Sequence, residues 1–90
     1  MQVTVYYLAQ LRRAAGCATE RVEAEPGLTL GEFLRRLGES RGEPFRTLLL
    51  AADGRPQRSL LFFIGDKPAE PSRVLQGDEE LSILTPMAGG

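Results

Sequence analysis

The sequence predicts an α+β fold, in which a mixed sheet of four or five strands carries one main helix on one face. Three observations predict it. Residues 2–8 alternate like a strand, a strongly amphipathic helix pattern runs from about Leu30 to about Arg41, and strand patterns return at 59–64 and 80–85. A single helix that can cover one face of several strands is typical of an α+β layer.

The first two strands are expected to form a hairpin. Val3, Val5 and Tyr7 alternate with residues of the opposite face, which predicts a strand by pattern and by β propensity. Residues 18–24 alternate in the same way. Between the two strands, residues 9–15 are helix formers without a breaker, and they favour a short helical turn that a glycine ends.

The main helix has the clearest local signature in the chain. Thr29 is placed as its N-cap, and Glu32, three residues later, completes a capping box. The helix is expected to end by Gly42, or earlier at Gly38. Its buried face is predicted from apolar residues with helical spacing: Leu30, Phe33, Leu34 and Leu37.

The second half of the chain is less regular. Phe45 and the leucines at 48–50 are apolar, and their periodicity does not decide between a short helix and a short strand. The continuous apolar run at 59–64 predicts a buried central strand. Val74 and Leu75 are expected to enter the core from an irregular segment. The helix connection can then bring the last strand parallel to the first.

Composition limits the chemistry that this chain can perform. Its 90 residues suit one domain, and 11 basic against 12 acidic residues leave no basic surface for nucleic acid. The absence of histidine excludes His-ligated metals and Ser-His or Cys-His nucleophiles, so no metal site is expected. Cys17, the single thiol, is expected to pack as a small hydrophobe. The chain is therefore a poor candidate for an enzyme acting alone.

Location can be predicted from the same composition. No apolar run is long enough for a membrane helix, so no membrane partner is expected. The chain begins directly with a strand pattern rather than a signal peptide, and one cysteine excludes an internal disulfide. These observations favour a cytoplasmic protein.

The end of the chain combines a strand with a glycine pair. Pro86 is expected to end the last strand, because it lacks the N–H group that a strand ladder needs. Residues 86–90 are therefore predicted to form an extended, flexible tail beyond a domain of residues 1–85. The tail finishes in Gly89-Gly90 and a carboxylate. The alternative is that the two glycines are an incidental frayed end.

The order of elements and four short motifs resemble the β-grasp, ubiquitin-like sulfur carriers of the MoaD/ThiS family. This family includes the small subunit of molybdopterin synthase and the thiamine-pathway sulfur carrier. The resemblance covers the whole chain, although Ile64-Gly65-Asp66 replaces the frequent Val-Asn-Gly, and the segment 41–59 is longer than in the shortest members. The motifs are Ala9, Arg12 and Gly16, then Pro26 to Leu30, Leu75 to Leu81, and Pro86 to Gly90.

The resemblance implies a function for the tail. The Gly90 carboxylate would be adenylated by a ubiquitin-activating-like adenylating enzyme and converted to a thiocarboxylate that donates sulfur. That partner would use ATP, and no cofactor is expected on this chain. The Pro-x-x-Gly-Gly form of the tail favours molybdopterin as the destination, with the large subunit of molybdopterin synthase as acceptor. Sulfur carriage for thiamine, cysteine or tRNA thiolation, a ubiquitin-like protein modifier, and a plain binding module stay open as alternatives.

The residue types of the tail suit this chemistry. A free carboxylate is an unreactive anion at neutral pH and has to be activated. Glycine has no Cβ, so Gly89 and Gly90 can pass through a narrow channel, with Ala88, Met87 and Pro86 behind them. An activated C-terminal glycine also cannot racemise. Fully extended, residues 86–90 reach at most ~17 Å beyond the last strand.

Strand parity predicts a docking patch beside the tail. If the first and last strands are parallel neighbours, the apolar residues on their uncovered face gather where the tail leaves. Part of the strand at 59–64 is expected to join them. Arg12 is added as a partner contact, and acidic residues 78–80 as a charged rim that steers the partner; ordinary solvated surface charge is the alternative for both. The apolar members of the predicted patch are Tyr6, Leu8, Phe62 and Leu84.

Overall fold

The computed structural model describes residues 1–85, which form a five-stranded sheet and three helices. The α+β class is confirmed. The strands lie in the order β2-β1-β5-β3-β4. In chain order the elements are β1 (Gln2–Tyr7), α1 (Ala9–Ala15), β2 (Thr19–Glu23), α2 (Leu30–Arg41), α3 (Phe45–Leu49), β3 (Leu61–Ile64), β4 (Lys67–Ala69) and β5 (Glu79–Leu84).

The sheet is mixed because its two central strands are parallel. β1 pairs with β5 in parallel, as the sequence predicted, while the β1–β2, β3–β4 and β3–β5 pairs are antiparallel. β4 was not predicted as a strand. It contains three residues, one of them Pro68, and such a short segment shows no alternation. A turn with Gly65 at φ 64° connects it to β3 and makes a hairpin.

The hydrophobic core lies between one face of this sheet and the helices. Val3, Val5 and Tyr7 point into it from β1, which confirms the predicted alternation. Leu81 and Ile83 point into it from β5, and both are fully buried. The predicted buried face of α2 is confirmed, since Leu30, Phe33, Leu34 and Leu37 all belong to the core.

Local interactions set the limits of α2. Thr29 and Glu32 form the predicted capping box, and the helix ends at Gly42 rather than at Gly38. Gly38 has a packing role instead. A Cβ atom at this position would lie 2.7 Å from Leu50 Cδ1, so the absence of a side chain lets α2 approach the segment after α3.

Three expectations for the second half of the chain were resolved by tertiary packing. Residues 45–49 form a helix, with Phe45 and Leu49 buried. Leu75 is buried, but the expected burial of Val74 is wrong, because Val74 is 44% exposed. Val74 forms an isolated backbone bridge with Thr29, the extended N-cap residue of α2, and in extended backbone neighbouring side chains point to opposite sides.

A polar cluster connects the hairpin to the end of α2. The Tyr7 hydroxyl donates a hydrogen bond to Glu20, and Arg41 forms an ion pair with the same carboxylate. Burial, followed by the hydrogen bond and the negative charge of Glu20, raises the pKa of Tyr7 above its ordinary range. The hydrogen bond to Glu20 likewise raises the pKa of Arg41. Tyr7 also packs edge-on against Phe45, with ring centroids 5.5 Å apart.

This cluster predicts a loss of stability at alkaline pH. The pKa of Tyr7 is raised on folding, so its stabilising effect is complete below about pH 10, the ordinary pKa, and is lost above it. We expect the free energy of unfolding to fall by up to about 1.4 kcal/mol per pH unit there. Tyr7→Phe should cost about 2 kcal/mol at neutral pH and reduce this slope. Urea unfolding between pH 7 and 11 measures both effects.

Tyr6 provides the matched control, because it is a half-exposed tyrosine on the opposite face of the same strand. Tyr6→Phe keeps the hydrogen bond between Tyr7 and Glu20, so the alkaline loss of stability should remain in this variant. Equal slopes for the two variants would show that the Tyr7 hydroxyl is not the titrating group.

Candidate functional site

One face of the sheet is left uncovered by the described residues. We call it the open face. Side chains of β1, β5 and β3 alternate between the core and this face, and the strand register aligns those on the open face into rows. One row crosses the sheet from Tyr6 through Ser82 to Phe63. The next row towards the end of β5 contains Leu84 and Leu61.

These rows create an apolar patch at the end of the sheet where β5 leads to the tail. Leu8 extends it, since it follows β1 at the same end and is 43% exposed. Leu61 is 49% exposed, while the other large side chains are half-buried. Ser82 is small and lies between two aromatic residues, so it leaves room for a partner's side chain. We define the tail-end patch as Tyr6, Leu8, Leu61, Phe63 and Leu84.

The opposite end of the open face is polar. Thr4 pairs with Glu80 on one side and with Arg21 on the other, and Gln2 pairs with Glu23. The open face therefore changes from charged to apolar along the direction of β5. A monomer seldom exposes neighbouring large apolar side chains without a functional reason, so the tail-end patch is the best candidate for an interaction site.

Two predicted members of the patch need separate comment. Phe62 was assigned to it, and this is wrong, because Phe62 is 6% exposed and faces the helices. Its neighbours Leu61 and Phe63 take that place. The continuous apolar run gave no sign of which residues face outward. The predicted buried central strand is buried on one face only, with Phe62 and Ile64 in the core.

Arg12 lies near the patch but on a different element. It belongs to α1, is exposed, and its backbone N–H donates to the Leu8 carbonyl at 3.4 Å. The sharp start of α1 directly after Leu8 keeps both residues at the same end of the sheet. A partner contact by Arg12 stays a prediction.

The acidic residues 78–80, at the start of β5, do not form a rim around the patch. Asp78 accepts a hydrogen bond from the Gln2 backbone N–H at 2.8 Å, and Glu79 forms an ion pair with Arg73 at 2.9 Å. Burial opposes ionisation of Glu79, but hydrogen bonds from Arg73 and from the backbone of Gln76 outweigh it and lower its pKa. Two of the three carboxylates therefore act within the fold, at the end of β5 that is remote from the tail.

The predicted reactive residues lie outside the described part of the chain. These are the tail residues Pro86, Met87, Ala88, Gly89 and Gly90. The structure does describe the end of the strand that precedes them. β5 ends at Leu84, within the tail-end patch.

Residues 1–85 were also searched for metal-binding groups and for membrane-spanning helices. Within this range, no group of histidine, cysteine or acidic side chains is arranged to hold a metal ion. None of the helices in the same range has the length and hydropathy needed to cross a membrane.

The fold and the open face define a class of protein. A mixed five-stranded sheet that wraps one main helix, with parallel central strands and a C-terminal strand beside the first, is a ubiquitin-like β-grasp. The family model of the ThiS family matches residues 5–90, so the chain belongs to this family of ubiquitin-like sulfur carriers. No match was found among curated proteins.

Solved structures agree with this fold. SAMP1 from Haloferax volcanii superimposes with a TM-score of 0.87 at 21% identity, with both chains covered in full. A putative molybdopterin converting factor, subunit 1, from Pyrococcus furiosus has a TM-score of 0.76 at 17% identity, over 97% of this chain and 99% of that one. A chain of the BexX/CysO complex from Amycolatopsis orientalis has a TM-score of 0.70 at 26% identity, over 98% and 99%. The first two similarities, at this identity, establish the fold alone.

Proposed function

We propose that this chain is a sulfur carrier whose Gly90 carboxylate is activated by a partner and converted to a thiocarboxylate. The observation that carries the proposal is the position of the tail-end patch. It lies where β5 ends, so a partner that binds the patch receives the tail at the same time. Membership of the ThiS family supports the role of sulfur carrier in general. The activation of Gly90 and its conversion to a thiocarboxylate are our inference.

The chemistry can be written in two steps at the Gly90 carboxyl group. The Gly90 carboxylate attacks the α-phosphorus of ATP in the partner's site, which forms an acyl adenylate and releases pyrophosphate. Hydrosulfide from the sulfide donor then attacks the acyl carbon, the bond between that carbon and the AMP oxygen breaks, AMP leaves, and loss of the sulfur-bound proton leaves a thiocarboxylate. This chain contributes the carboxylate and its positioning. The absence of a Cβ atom at residues 89 and 90 permits close approach by the partner.

Docking through the tail-end patch suits a carrier that visits more than one partner. The activating enzyme and the sulfur acceptor both need the same tail, so both have to approach the same end of the sheet. A patch of large apolar side chains supplies affinity to each partner in turn without a dedicated pocket. The polar end of the open face favours one orientation of the bound partner.

Molybdopterin is our first choice of destination. The Pro-x-x-Gly-Gly tail suggested it, and the similarity to a putative molybdopterin converting factor subunit supports it. The acceptor would then be the large subunit of molybdopterin synthase. Thiamine, cysteine and thiolated tRNA are the other destinations that the same chemistry serves.

A second function, protein modification, has its own supporting observation. The chain superimposes well on two structures described as small archaeal modifier proteins, with TM-scores of 0.83 and 0.76. In that role Gly90 would form an isopeptide bond with a lysine. Both functions begin with the same adenylation.

Intact-mass spectrometry tests the proposal. The purified chain is incubated with ATP, a sulfide donor and the adenylating enzyme encoded in the same genome. We expect a mass gain equal to the replacement of one oxygen by sulfur, and no gain when ATP is omitted. Isopeptide adducts in place of this gain would support the modifier role. Neither product with any adenylating enzyme of that genome would contradict both.

A further inference from the structure

The basic residues of this chain are almost all arginines. Of its 11 lysines and arginines, Lys67 is the single lysine. The difference between lysine and arginine matters for a protein whose own C-terminal carboxylate is proposed to become activated. A guanidinium stays protonated at any physiological pH and does not attack an acyl group, whereas a lysine amine can do so when it loses its proton. The chain therefore carries one side-chain amine that an activated glycine can acylate.

Lys67 is well presented for such a reaction. It lies directly after the turn of the β3–β4 hairpin, where residues 65–68 are all exposed. It also starts the edge strand β4, so no further strand covers it within residues 1–85. The Met1 amine is held differently, since it donates to Glu23 Oε2 at 3.2 Å and to the Ala24 carbonyl at 3.1 Å.

The β3–β4 hairpin and the last residue of β5 lie at opposite ends of the sheet. Lys67 pairs with Ile64, whereas Leu84 pairs with Leu61, three residues away along the same strand. Ile64 and Leu61 are separated by about 10 Å along β3, and β5 runs away from the hairpin. β5 of one molecule therefore runs away from its own Lys67, and the acceptor that we consider is Lys67 of a second molecule.

We propose that Lys67 is the acceptor site through which copies of this chain are joined, with the Gly90 carboxylate of one copy bonded to the Lys67 amine of the next. The inference rests on the proposed activation of Gly90 and extends the modifier role. An acceptor copy keeps its own tail-end patch and tail free, because Lys67 lies at the other end of the sheet. It can therefore be activated in its turn, and chains can grow.

The bond changes are those of amide formation. The lone pair of the deprotonated Lys67 amine attacks the carbonyl carbon of the Gly90 acyl adenylate of another copy. The bond between that carbon and the AMP oxygen breaks, AMP leaves, and the nitrogen releases one proton to solvent. ATP, consumed by the adenylating partner, supplies the driving force, and no oxidant or reductant is needed.

The test compares three forms of the chain, each expressed in its native host with an N-terminal affinity tag that contains no lysine. They are the unchanged chain, Lys67→Arg and a form without Gly89-Gly90. Each is purified under denaturing conditions, and its intact mass and tryptic peptides are recorded. Trypsin cleaves after Arg58 and Arg73, so a self-linked molecule yields the peptide 59–73 with residues 74–90 attached to Lys67.

We expect this branched peptide and a ladder of self-linked forms from the unchanged chain only. Lys67→Arg keeps the positive charge, so it should lose the ladder while it retains its thiocarboxylate or its adducts with other proteins. A ladder that persists in Lys67→Arg overturns the proposal. Thiocarboxylate or foreign adducts without a self-linked form overturn it as well, while leaving the proposed function intact. The absence of every product overturns both.

Discussion

A chain that lacks Gly90 is expected to form almost no thiocarboxylate. The deletion moves the terminal carboxylate back by about 3.4 Å, and a displacement of even 1 Å from the reacting atoms can reduce a rate by about 100-fold. We therefore expect the rate of adenylation to fall by at least about 100-fold. Pyrophosphate release in the presence of the activating enzyme and ATP measures this rate, and intact mass reports the product.

A glycine in the described part of the chain supplies the control. Gly77 precedes β5, its φ angle is not in the left-handed region, and a Cβ atom there would meet nothing within 4 Å. Gly77→Ala should adenylate at the unchanged rate. If the chain without Gly90 also reacts at the unchanged rate, the tail is not the reactive group and the proposed function is wrong.

Substitutions in the tail-end patch are expected to weaken partner binding without unfolding the chain. Leu8→Asp and Leu61→Glu each place a charge in a surface that would be desolvated by the partner. We expect each to weaken binding to the activating enzyme by about tenfold or more, which corresponds to roughly 1.4 kcal/mol. Titration calorimetry measures the change in Kd, and urea unfolding should show a stability change below about 1 kcal/mol.

Two further variants make this prediction specific. Val74→Asp changes an apolar residue of similar exposure that lies outside the patch, so its binding should be unchanged. Phe62→Ala should instead lower the free energy of unfolding by about 3–5 kcal/mol, because Phe62 is part of the core. If Val74→Asp weakens binding as much as Leu8→Asp does, the open face is not the docking surface.

Much of the fold could be predicted because its signals are local. The alternation of β1 contrasts apolar with polar residues, and the capping box of α2 is formed by residues three positions apart. The family motifs are local in the same sense. The parallel β1–β5 pair could be predicted from connectivity, since an intervening helix allows the chain to return in the same direction.

Other features depend on residues that are distant in the sequence. Tyr7, Glu20 and Arg41 come from β1, β2 and the end of α2, and nothing in their local patterns indicates that they meet. The short strand β4 exists because β3 offers it an edge, not because Lys67–Ala69 has a strand pattern. The ion pair between Glu79 and Arg73 is likewise not indicated by the local sequence pattern of either residue.

In the candidate site, too, some features could be predicted from the sequence and others depended on the tertiary structure. The sequence by itself determined the order of the principal elements and the outward position of Tyr6, Leu8 and Leu84, and it contains the terminal glycine pair on which the proposed chemistry depends. Only the tertiary structure decided that Leu61 and Phe63, rather than Phe62, complete the patch. In β3 every residue is apolar, so alternation carries no contrast, and the direction of a side chain is defined only by the register with β5.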